Sequence, residues 1–155
     1  MAFLAMACFV SMAGRVCAAG SEYRIQLVWG TDEARPEGKD LKPLDEATRN
    51  RLRQFRWKNY FVTQSKTSTA GVKEPTRVVL SDQCQVDLRE VDATHLEVRM
   101  FNVKAGGETK HVASKRIGLA ELKKGEIMVY GGDSKDRWDD CWMVIIGSHP
   151  TAPTK

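Results

Sequence analysis

Apolar side chains recur at every second position through most of this chain, a rhythm that belongs to pleated strands rather than to helices. Tyr23, Ile25, Leu27 and Trp29 share one face of the first such run and predict a half-buried strand. Trp57–Ser65 is a second run, dense in aromatics, and Thr76–Leu80 a third. Cys84, Val86 and Leu88 mark the inward face of the next, and Leu96, Val98 and Met100 mark another that ends before a Gly106-Gly107 turn. His111–Ile117 follows. Ile127–Tyr130 and Trp142–Ile146 are continuous apolar runs, the pattern of central strands covered on both faces. Strands this short, broken by turn signals, point to a mainly β protein. The expected form is an antiparallel sandwich or partly open barrel of about seven to eight strands with one short helix.

The helix is placed by Asp45, whose carboxylate can cap a segment running to Phe55. On a helical wheel Leu44, Thr48, Leu52 and Phe55 fall within one packing arc, and Arg49, Arg53 and Arg56 fall on a different side. An Asp45–Arg49 pair at i, i+4 spacing partly offsets that charge. Gly30–Pro43 is rich in Gly, Pro and charged residues and predicts a long loop. Leu119–Gly125 has room for a single helical turn.

Ahead of the strands, Met1–Ala18 is apolar at its centre, with Phe3, Leu4, Met6, Phe9 and Val10. It suits a secretory signal and is too short to span a bilayer. Val16 and Ala18 supply the small residues that signal peptidase prefers before a cut at Ala19. No Lys or Arg precedes the apolar run, which departs from the usual pattern. Cys17 lacks the residues that lipid attachment places before its cysteine. The expected organisation is a signal peptide at 1–18, a single β-rich domain at 19–149 and a disordered tail at 150–155. The product is exported, periplasmic or extracellular, and is not an integral membrane protein after cleavage.

A formal net charge of +4, which loses Arg15 with the leader, is too mild to require a nucleic-acid partner. Cys84 and Cys141 survive cleavage and are disulfide candidates in an oxidising compartment. The alternative is two buried thiols acting as small apolar side chains. Trp138 lies in a charged loop, and a Trp among charges is a candidate contact residue, with packing as its ordinary alternative. Trp29 and Trp142, inside apolar strands, read as structural. Asp133, Asp136, Asp139 and Asp140 share that loop, but their spacing does not match a calcium loop, and Lys135 and Arg137 offset their charge. Arg49, Arg53 and Arg56, extended by Lys58, form a basic stripe suited to an anionic polymer or an acidic envelope protein, or simply to solvent. Asn59 and Tyr60 continue this candidate binding surface.

Catalytic signals are weak. His95, His111 and His149 make no zinc-binding pair, and the chain has no G-x-S-x-G elbow, no phosphate-cradling Gly loop and no C-x-x-C. No catalytic residue, metal ligand or cofactor is assigned.

Several stretches together resemble a group of small bacterial proteins of unknown function that are predicted to be exported. They are Ile25–Asp32, Leu41–Leu44, Phe55–Phe61, Leu80–Cys84 and Gly131–Asp133 ahead of the Trp142 strand. The Phe55-Arg56-Trp57-Lys58-Asn59-Tyr60 segment is the most distinctive. The resemblance implies export and a single β-rich domain, and it carries no activity or ligand. The functional expectation is a non-catalytic interaction or structural module of the cell envelope. The alternatives are a carbohydrate-binding module using exposed Trp138 or Tyr60, or a small secreted hydrolase built on His95 or His111.

Overall fold

A computed structural model of the chain describes residues 21–34, 41–133 and 140–149. Nine strands and two short helices follow in the order β1 (Glu22–Thr31), β2 (Lys42–Pro43), α1 (Glu46–Arg51), β3 (Asn59–Thr69), β4 (Thr76–Val79), β5 (Cys84–Glu90), β6 (His95–Val103), β7 (Thr109–Gly118), α2 (Leu119–Lys123), β8 (Ile127–Asp133) and β9 (Cys141–Ser148). The strands form a five-stranded sheet, β2-β3-β1-β9-β8, and a four-stranded sheet, β4-β5-β6-β7. Pairing within both sheets is antiparallel, and a single parallel bridge joins Gly71 to Arg89. Of the two expected forms, the sandwich is the one adopted.

The predicted strands are present, and several are longer than their apolar runs. Lys42–Pro43 adds a two-residue strand where sequence suggested only loop. The predicted turn between β6 and β7 uses Gly106 and Gly107 at φ of 103° and 86°, a backbone region that side chains with a Cβ avoid.

The main core lies between the sheets. Tyr23, Ile25, Leu27, Val144 and Ile146 of the first sheet pack against Val86, Leu88, Leu96 and Val98 of the second. Two buried phenols extend across this layer. Tyr130 Oη donates to the Val98 carbonyl at 2.8 Å, and Tyr23 Oη donates to Glu90 Oε1 at 3.0 Å. Burial pushes both phenols up to about 12, with the Glu90 charge adding to the effect at Tyr23.

A second apolar layer covers the opposite face of the five-stranded sheet. Val28, Met143 and Ile145 point away from the second sheet and meet Leu44, Leu52 and Tyr60. This is why β1 departs from the half-buried reading: Val28, between the inward Leu27 and Trp29, is also fully buried. From Met143 to Ile146 the continuous run in β9 is likewise covered on both faces, as expected for a central strand, while its first residue, Trp142, is exposed. β8 is not central. Despite its apolar run it is an edge strand, paired only with β9.

Helix α1 is shorter than predicted, ending at Arg51, with Leu52 as its C-cap. The packing arc is the expected one: Leu44, Thr48 and Leu52 are buried and Phe55 is half-buried. Asp45 caps the helix as predicted, accepting from Thr48 N at 2.9 Å and from Thr48 Oγ1 at 2.8 Å. The ion pair of its carboxylate is with Arg24 of the neighbouring strand, at 3.6 Å, rather than with Arg49. In α2, Glu121 reaches back to accept from Gly118 N, and Leu122 is buried.

Candidate functional site

Across the inner face of the first sheet, Phe61 pairs with Trp29 and Trp29 with Trp142, so three aromatic side chains stand in one cross-strand row. Trp29 and Phe61 have ring centroids 6.0 Å apart, and Trp29 and Trp142 are stacked at 6.3 Å with planes 21° apart. The row continues to Gly132 of β8, where an added Cβ would meet nothing within 4 Å. Trp29 is anchored by donating from Nε1 to the buried carboxylate of Asp140 at 2.9 Å.

The three rings differ in exposure. Trp29 and Phe61 are buried, while Trp142 is 41% exposed. Its ring borders a cleft of about 760 Å³ that runs between the sheets, with Leu27, Gln64, Asp82, Cys84, Met100 and Asn102 among the lining residues. The lining thus combines an indole face and aliphatic groups with amides and a carboxylate. Such a mixture suits ligands with both flat apolar and hydrogen-bonding faces. A β-bulge shapes one wall: β3 carries the extra residue Thr63 opposite the Leu27/Val28 step, and Thr63 Oγ1 donates to the Leu27 carbonyl at 3.1 Å.

The residues singled out by sequence are placed elsewhere. Tyr60 is buried on the outer face of the first sheet, its hydroxyl directed at the Leu52 carbonyl at 3.4 Å, so it is a packing residue and not a stacking platform. Burial, and then the neighbouring Cys141 and Asp32, raise its pKa. Trp142, read as structural, is instead the exposed ring. Trp138, together with Asp136 and Asp139, lies outside the described residues.

Arg49, Arg53, Arg56 and Lys58 are all exposed, but the helix ends before Arg53, so they are not one helical stripe. The Arg56 guanidinium lies over the Trp57 ring at 5.4 Å. Lys58 donates its backbone N–H to Asp32 Oδ1 at 3.0 Å, and Asn59 Nδ2 donates to the Glu33 carbonyl at 2.7 Å, which ties the start of β3 to the end of β1.

Cys84 and Cys141, the proposed disulfide pair, are not bonded to each other. Cys84 packs on the inter-sheet core, whereas Cys141 points to the opposite face of the first sheet, toward Tyr60. Strand pairing alone could not reveal that a whole sheet separates them. Burial raises the Cys84 pKa, so the half-buried thiol stays protonated at neutral pH.

Neither His95 nor His111 lines the cleft. His95 Nδ1 lies 3.1 Å from Asp92 Oδ1 and 2.8 Å from Thr94 Oγ1, within an exposed hairpin turn whose Thr94 N–H and hydroxyl both donate to Asp92. The Thr94 hydrogen bonds hold the Asp92 carboxyl at about 2. His111 Nε2 lies 2.6 Å from Ser114 Oγ, again on the exposed surface of β7. Among the described residues no group of three or more His, Cys, Asp or Glu side chains could hold a metal ion, and no helix is long and apolar enough to cross a membrane.

Sequence reasoning missed Trp142 because its run is apolar throughout. A run without alternation does not tell one face of the strand from the other. Nor could it give the cleft between the sheets that Trp142 borders. No family model, curated protein or solved structure matches the chain.

Proposed function

We propose that this chain is an exported, non-catalytic interaction module of the bacterial cell envelope whose ligand seats in the open cleft beside Trp142. The observation that carries the reading is the exposed indole. In a strand whose other apolar residues are buried, it stands at the mouth of a cleft where a ligand, rather than a core neighbour, can cover it. Export is supported by the apolar leader with small residues ahead of Ala19.

A neutral glycan is the second reading, and the lining favours it. The flat indole can stack on the apolar face of a sugar ring, while Gln64 and Asn102 offer amides to its hydroxyls. This moves the stacking residue from Tyr60, which is buried, to Trp142.

The test is a glycan array probed with the purified chain and with Trp142→Ala, followed by titration of hits against tryptophan fluorescence. Loss of at least about tenfold in affinity on truncation, equal to roughly 1.4 kcal/mol, supports the cleft. Equal binding by both proteins removes it. N-terminal sequencing of material recovered from the periplasm should begin at Ala19; an intact Met1 in the cytoplasmic fraction removes the export reading.

A further inference from the structure

The outer face of the four-stranded sheet is built as a lattice of arginines. Register places Arg77, Asp87, Arg99 and Ser114 in one cross-strand row, and Arg89, Glu97 and Arg116 in the next. Arg77 grips Asp87 with two parallel bonds, from Nε at 2.7 Å and Nη2 at 2.8 Å. Glu97 receives Arg89 Nη2 at 2.8 Å and Arg99 Nη2 at 2.9 Å, with Arg116 Nε at 3.6 Å. Four guanidinium groups therefore surround two carboxylates.

The carboxylates lie underneath and the cations on top. The side chains of Asp87 and Glu97 are 7% and 10% exposed, whereas those of the four arginines range from 34% to 63%. Each guanidinium has five N–H donors, and the contacts above use at most two or three. The buried Nε of Arg89 has no hydrogen-bond partner. Phe101, on which the Arg77 guanidinium lies at 5.3 Å, and His111, edge-on to Phe101 at 5.5 Å, extend the face along the sheet.

An ordinary ladder of cross-strand ion pairs balances its charges; this one leaves a net positive surface whose donors are held in place by what lies beneath them. Strands about 4.8 Å apart put Arg77 and Arg99, and likewise Arg89 and Arg116, about 10 Å apart across the sheet. We propose that this face binds a linear acidic polysaccharide, its carboxylates received by the outward N–H groups of Arg77, Arg89, Arg99 and Arg116. Fixed forks at regular spacing suit a repeating polymer of planar carboxylates, since bidentate recognition depends on geometry as well as charge. A diffuse membrane charge needs no such order. The choice of polysaccharide over nucleic acid rests on the export reading; the charge and geometry of the face do not, and neither depends on the cleft.

The full chain would be titrated with polygalacturonate, with neutral galactan, single-stranded DNA and phosphatidylglycerol vesicles as comparison arms. Binding to polygalacturonate should weaken with salt. In Arg99→Gln/Arg116→Gln it should fall at least about tenfold, with a log–log salt slope reduced by about one per arginine removed. Arg116→Gln, at the most exposed and least tightly paired position, keeps the test available if the double variant does not fold. Arg116→Lys, which keeps charge but loses the fork, should bind between the two. Arg49→Ala/Arg53→Ala and Trp142→Ala should bind like the unaltered chain, which separates failure here from failure of the cleft. The proposal is overturned if Arg116→Gln binds unchanged, if loss follows Arg49/Arg53 instead, or if, in the Trp142→Ala background, galactan, DNA or vesicles bind as tightly as polygalacturonate.

Discussion

The two sheets have the same inner faces and opposite outer ones. Behind the five-stranded sheet, Val28, Met143 and Ile145 are roofed by Leu44 and Leu52 around α1, so that sheet is apolar on both sides. Behind the four-stranded sheet no helix lies among the described residues, and the corresponding positions hold Asp87 and Glu97 beneath a layer of guanidinium groups. The residue type at an outward strand position thus follows from what covers it. A roof of side chains from elsewhere in the chain calls for aliphatic groups; a roof of solvent calls for charges, which here satisfy one another laterally.

If that contrast is correct, the largest effect should come from the roof of the first sheet. Leu52→Ala should lose about 3 kcal/mol in urea denaturation, as for any fully buried leucine. A loss below about 1 kcal/mol would show that the outer layer is peripheral and that the two faces do not differ in kind.

Glu97→Gln sharpens the other half of the comparison. It removes the charge that gathers three arginines, and should lose about 1–2 kcal/mol at neutral pH. Burial alone would raise the Glu97 pKa, but the Arg89 hydrogen bond and the Arg99 and Arg89 charges outweigh it, so the value lies below the ordinary one. A lowered carboxyl stabilises the fold above its unfolded-state pKa, about 4.3, and loses that contribution as pH falls through the folded value. The penalty of the variant should therefore shrink below about pH 4, a convergence that thermal midpoints across an acid series would reveal. A penalty independent of pH would mean that shape, not charge, holds the lattice.

The smallest effect concerns how the roof is held. Asp45→Ala removes the acceptor of two Thr48 hydrogen bonds and should destabilise by about 1 kcal/mol, measured in the same urea experiment. Combined with Leu52→Ala it should fall short of additivity, because both changes loosen one element. Full additivity would argue that the cap and the roof act separately.

Much of the fold was legible in the residues. Val86 and Leu88, and Leu96 and Val98, announced their inward faces by strict alternation, because one side of those strands meets the core and the other meets water. Thr48 and Leu52 announced the helix face for the same reason. Legibility failed where apolar character no longer alternates. The run Ile127–Tyr130 looks as central as Trp142–Ile146, yet β8 is an edge strand and β9 is interior, since hydrophobicity reports burial and not the number of hydrogen-bonded neighbours.

The candidate sites were less legible still. Tyr60 and Trp142 are both aromatic residues in aromatic-rich strands, and nothing local distinguishes the buried ring from the exposed one. Asp87, Arg89, Glu97 and Arg99 alternate with the marked inward residues, and Arg77 and Arg116 lie in predicted strands, but their assembly into a lattice required the cross-strand register.

Local pattern alone therefore placed every strand but β2, the inward faces of β1, β5 and β6, and the helix start at Asp45. Each follows from interactions between residues a few positions apart. The fold as a whole set which strands became edges, that Cys84 and Cys141 lie on opposite sides of a sheet, that Trp142 borders a cleft between the sheets, and that four arginines share two acids. Those outcomes depend on contacts between residues tens of positions apart, whose pairing is selected by the packing of the whole molecule and by no pattern within a single segment.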